Sequence, residues 1–103
     1  MNVPDCCLTL VFPRALEENL VDLLLEHEAL AGDFTTSAVE GHGSNLDYQD
    51  IVEQVRGRAR RVQMKILLQH AVAQTLIDDL RTTLPHSDIV YWITPVSEFG
   101  RFA

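Results

Sequence analysis

Residues 58–68 read Arg-Ala-Arg-Arg-Val-Gln-Met-Lys-Ile-Leu-Leu. Successive side chains of a strand point to opposite faces. Val62, Met64, Ile66 and Leu68 therefore share one side of a strand, and Arg61, Gln63 and Lys65 take the other. No helical period fits this stretch, so it is predicted to be a strand with one face on a core. The run that follows changes period. Val72, Leu76, Leu80 and Leu84 step by four, with Ala73 and Ile77 beside them. They predict a helix over about 70–83, closed by Pro85.

The same alternation of strand and helix holds toward both ends. Residues 6–12, Cys-Cys-Leu-Thr-Leu-Val-Phe, form a short apolar run with Pro13 as its stop, as a central strand requires. From Ala15 to Leu30, Leu16, Leu20, Leu23 and Leu24 recur at helical spacing. Glu17, Glu18, Asp22 and Glu26 lie mostly elsewhere on the wheel, and early acids suit the positive helix N-terminus. Gly32 is a natural stop. Residues 33–40 make a second strand, with Phe34, Thr36 and Ala38 on one side. The last strand is 88–94, followed by Pro95 and a polar tail.

The order is strand, helix, strand, strand, helix, strand. That is the ferredoxin-like plan, an α+β fold. Right-handed crossovers give an antiparallel four-stranded sheet in the order 4-1-3-2, with both helices on one face. The other face then carries Cys7, Val11, Leu67, Val90 and Trp92. Two helices leave it uncovered, and another copy of the chain is the economical cover.

At 103 residues with 47% apolar side chains, the chain suits one domain, 1–103, with a loop at about 41–57. A loop of that length in so small a domain is usually functional or disordered. Part of it, around Tyr48 to Val55, suits a short helical turn. The net charge of −7 argues against nonspecific binding to nucleic acid or anionic membranes. No signal peptide or bilayer-spanning stretch is visible, so the expectation is a cytoplasmic protein with no membrane insertion. Cys6 and Cys7 are adjacent and point to opposite faces, which disfavours a bridge between them. Cys6 is expected in the core and Cys7 on the face between copies.

The strongest charge feature is a basic stretch in an acidic chain. Arg56, Arg58, Arg60, Arg61 and Lys65 are five of its eight basic residues. Arg56, Arg58 and Arg60 share one side of an extended chain. Guanidinium groups so aligned suit a phosphate or a carboxylate. They equally suit pairing with Asp47, Asp50 and Glu53 of the loop. Gly41-His42-Gly43 offers backbone N–H groups to a ligand, or simply marks where a strand leaves the sheet. No Cys or His pair has metal-ligand spacing, and His42 is the candidate ligand to test first. No catalytic motif is present, and the chain is expected not to be an enzyme.

Glu53-Gln54-Val55-Arg56-Gly57-Arg58 leading into Arg61-Val62, then Tyr91-Trp92-Ile93-Thr94-Pro95-Val96 and Gly100-Arg101-Phe102, resemble a family of short bacterial proteins of unknown function classed as PII-like. The genes of that family often lie beside heavy-metal efflux systems of the resistance-nodulation-division type. The resemblance runs from Cys7 to Phe102. It implies a ferredoxin-like homotrimer that binds a small anionic effector, adenine nucleotides being the usual one, in clefts between subunits. It also implies a long loop that contacts a target protein, here one linked to metal efflux. By the same resemblance Gly41, His42 and Gly43 lie beside the cleft, and Arg101 reaches it from the C-terminal segment. In PII proteins a Gly-rich segment with a phosphate-holding Lys follows the second helix. Here that stretch is Leu84-Pro85-His86-Ser87-Asp88. The alternative function is a metal-binding accessory protein that senses or buffers a divalent ion.

Overall fold

The structure, a computed structural model, describes residues 3–27, 33–42 and 58–102. Strand β1 is Cys6–Pro13, followed by a 3-10 turn, Arg14–Leu16, and helix α1, Glu17–Glu26. Strands β2, Phe34–His42, and β3, Arg58–Leu68, form a hairpin. Helix α2 is His70–Thr83 and strand β4 is Val90–Pro95. The sheet order is β2-β3-β1-β4 and every pairing is antiparallel. This is the ferredoxin-like βαββαβ fold expected from the sequence.

The two-residue period decides what each strand buries. Leu8, Leu10 and Phe12 of β1 and Val62, Met64, Ile66 and Leu68 of β3 line the helix side, all of them buried. Leu20 and Leu24 of α1 and Ala73, Leu76, Ile77 and Leu80 of α2 close over them. Each such aliphatic side chain contributes about 1.5–3 kcal/mol of gross burial energy. In β2 only Phe34 and Val39 are partly shielded among the larger apolar residues, and Phe34 packs against the core. Thr36 and Ala38 share its side of the strand but are exposed.

Asp5 ties the start of β1 to the start of α2. Its carboxylate accepts the His70 N–H at 3.0 Å, its own N–H donates to the Leu68 carbonyl, and its carbonyl accepts from Val96. An acid at a helix N-terminus meets unsatisfied N–H groups and a positive dipole end. At the other end of α2 the Leu84 N–H closes on the Leu80 carbonyl at 2.8 Å. Pro85 then stops the helix and His86 turns the chain with φ 61°. His27 caps α1 and lies 3.2 Å from Asp79 of α2, linking the two helices. Among the described residues, no helix is long and apolar enough to cross a membrane.

Candidate effector site

Pro13 ends β1 opposite Arg61. The β2–β3 hairpin runs on past it, with Glu40 opposite Arg60, Gly41 opposite Ala59 and His42 opposite Arg58. Gly41 and His42 are thus strand residues, not the opening of a loop at 41. Small residues face each other at Gly41 and Ala59, so the ladder continues where a sequence reading favours a break. Arg58 and Arg60 stand two apart in β3, hence at positions of one face. Arg60 is exposed. Glu40 and Arg60 are both already engaged in contacts. An anion arriving here therefore meets an arginine that is already engaged, with the Glu40 carboxylate in register beside it. Gly43, Arg56 and the loop acids Asp47, Asp50 and Glu53 lie outside the described residues, as does the helical turn read at Tyr48 to Val55.

Arg61 behaves unlike the other arginines. It is 3% exposed. Its Nη2 lies 2.7 Å from the Asp88 carboxylate, and Nη1 donates to the Asp88 carbonyl at 3.3 Å. Arg61 belongs to β3 and Asp88 precedes β4, so the guanidinium reaches across the end of β1. This pair fixes how the chain enters β4. The sequence predicts Asp88 as the first residue of the last strand; in the structure β4 starts two residues later, at Val90. A proline ends the neighbouring strand at this level, and the aspartate answers the buried guanidinium instead. Truncating one partner of such a pair is costly because the other charge stays buried.

Arg101 sits elsewhere. Its Nη2 lies 3.3 Å from Asp33, and both side chains are well exposed, at 69% and 93%. Asp33 precedes β2, whereas His42 ends it. A nine-residue strand separates them, which is about 27 Å. Within one chain, then, the hairpin end gathers Gly41, His42, Arg58 and Arg60, and Arg101 stands at the far end of the same strand.

The remaining reactive groups are dispersed. Among the described residues, no three His, Cys, Asp or Glu side chains gather closely enough to hold a metal ion. His42 is exposed at the strand end. The Cys6 thiol is buried and donates to the Leu68 carbonyl at 3.3 Å. Burial pushes its pKa above the usual thiol range, and the negative charge of Asp5 adds to the effect. Cys7 is half-buried on the opposite face, 3.9 Å from the Thr9 hydroxyl.

The family model described as "Protein of unknown function (DUF3240)" matches residues 2–103. The chain belongs to that family. No curated protein matches it. Among solved structures, a family member from Shewanella baltica superposes with a TM-score of 0.78 at 20% identity, covering 100% of both chains. A putative PII-like signalling protein from Thermus thermophilus gives 0.65 at 21% identity, over 91% of this chain and 87% of that one. CPII from Thiomonas intermedia, described as a nitrogen regulatory PII-like protein bound to ADP, AMP and bicarbonate, gives 0.70 at 17% identity, over 95% and 94%. At such identities the likeness is one of fold: this family member has a PII-like sheet and helix layer.

Proposed function

We propose that this chain is a PII-like regulatory protein and not an enzyme. It assembles as a homotrimer through the open face of its sheet. A small anionic effector binds at clefts between subunits, beside the end of the β2–β3 hairpin. The segment between those strands contacts a target protein. On the family resemblance, that target belongs to a heavy-metal efflux system. The observation that carries this reading is the hairpin end itself, where β2 and β3 run past the rest of the sheet and the backbone places Arg58 and Arg60 two apart on β3. Two further facts support it. The open face is apolar, and the CPII structure with the same fold is described as bound to ADP, AMP and bicarbonate. Arg101, far from the hairpin end of its own chain, serves in this reading the cleft of an adjacent subunit.

A thermal-shift panel tests it. Phosphate, bicarbonate, AMP, ADP and ATP are titrated first, then divalent metal ions. A ligand at a hundred times its Kd stabilises the native state by about 2.7 kcal/mol, a shift of several degrees for a chain of this size. At least one of the anions is expected to raise the melting temperature, and Arg58→Ala with Arg60→Ala to abolish the rise. Stabilisation by a divalent metal alone would favour the metal-accessory function. A wild type unmoved by every anion would make these arginines structural and remove the site.

A further inference from the structure

A concavity lies on the helix side of the sheet, between the C-terminal half of α2 and the edge strand β4. It has a volume of about 410 Å³. Its floor is apolar, from Leu10, Ile77, Leu80, Leu84 and Ile89. The cleft opens to solvent, and Arg81, His86 and Tyr91 at its rim are exposed. It also falls within the range of small-molecule pockets, which are mostly apolar with a few placed polar groups.

Arg81, His86, Ser87 and Tyr91, with Pro85, complete the lining, and two of the polar groups are in contact. The Arg81 guanidinium lies over the Tyr91 ring, 5.7 Å from its centre, and Nη2 donates to the Tyr91 hydroxyl at 3.0 Å. A guanidinium carries five N–H donors, and this contact takes one. Tyr91 thereby holds the charge in place at the cleft while leaving it donors to offer. His86 has a φ of 61°, a left-handed conformation that costs energy in any residue but glycine. This is the turn that ends α2 and brings the chain back along the cleft toward β4.

We infer that this cleft binds a small amphipathic anion, its aliphatic or aromatic body against Leu10, Ile77, Leu80 and Ile89 and its acidic head on Arg81. The apolar floor sets the body and the single fixed cation sets the head. The site is separate from the hairpin end. It uses neither Arg58 nor Arg60, and it does not depend on the function proposed above.

Octanoate is the probe, with 1-octanol and acetate as controls lacking the charge and the apolar body. Amide NMR shifts of the full-length protein are followed during titration. Octanoate is expected to move the amides of residues 77–91 saturably, with 1-octanol and acetate binding at least about tenfold more weakly. Arg81→Gln should cost octanoate about tenfold in affinity, the equivalent of one charged hydrogen bond. Arg81 is exposed, so this variant is expected to fold, and its unperturbed spectrum checks that. Binding should persist when Arg58 and Arg60 are both replaced by alanine. The inference is overturned if millimolar octanoate leaves residues 77–91 unmoved. It is equally overturned if shifts fall only on the open face around Lys65 and Trp92, if 1-octanol binds as tightly, or if Arg81→Gln binds unchanged.

Discussion

On the helix side of β1, Leu8, Leu10 and Phe12 are fully buried. On the other side of the same strand, Cys7 and Val11 are only half-buried. Their neighbours on that face fare worse: Leu67 is 39% exposed, Trp92 43% and Val90 52%. The two faces are written by one alternation in one set of strands. One face is completed within the chain and the other is not. Thr9, at the centre of the open face with Lys65 and Trp92 beside it in register, is buried all the same. The contrast teaches that the helix side specifies the fold of a single chain. The open side specifies what that chain must still meet, because contiguous apolar surface of this kind marks an interface.

The largest effect is expected from the helix side. Phe12→Ala removes a fully buried ring from β1 and should cost about 3–5 kcal/mol of folding stability. Urea unfolding followed by circular dichroism measures it. A loss below about 1 kcal/mol would mean that this face is not the core of the fold.

The open face answers to a different measurement. Val90→Glu alters a side chain already half in water, so in an isolated chain it should change stability by no more than about 0.5 kcal/mol. In an assembly buried on this face, the same carboxylate lies between subunits and unpaired, which is costly. The expected outcome is a folded chain that sediments as a monomer where the wild type sediments as a trimer. A variant that still forms the trimer would show that the interface lies elsewhere.

Much of this contrast is legible in the sequence, because the period of two is a property of the extended chain itself. The limits of β3 and α2 were read as they stand, since Val62 to Leu68 alternate strictly and Pro85 ends a four-residue step. The start of α1 was less visible. A 3-10 turn at Arg14–Leu16 takes up the chain after Pro13 before the α-helix begins at Glu17. The leucine period predicts a helix as far as Leu30, but α1 ends at Glu26 with His27 as its cap; residues 28–32 and the loop read from Gly43 onward lie outside the described residues. Gly41 and His42 are poor strand formers, and only their partners across the hairpin carry β2 that far. Arg61 shows what alternation leaves out, which is burial. It occupies the open face, as its odd number requires, yet it is buried by a partner 27 residues away. No local pattern marks Asp88 as that partner; it follows from register alone. The arginines of the candidate site were read as a group, whereas the fold separates Arg101 from the others within one chain by the length of β2.

The smallest effect falls on the narrowest instance of the same contrast, two adjacent cysteines on opposite faces. Cys6 is buried with its thiol donating to Leu68, and its pKa is raised, chiefly by burial and then by Asp5. A thiol with a raised folded-state pKa stabilises the fold below the usual thiol range. That contribution fades as pH climbs through the raised value. Only the thiolate reacts with iodoacetamide at a useful rate. Cys6 should therefore label slowly at pH 8 in every folded form of the protein. Cys7 belongs to the other face, and its reactivity should report on what covers that face. In the wild type it is expected to label slowly as well, shielded between subunits. In the Val90→Glu monomer it should label faster while Cys6 remains protected, and peptide mass spectrometry separates the two. Equal labelling of Cys7 in both proteins, with the variant confirmed as a monomer, would mean that assembly leaves this part of the open face in water. The interface would then centre on Val90 and Trp92 and stop short of the row that holds Cys7, Leu67 and Thr94.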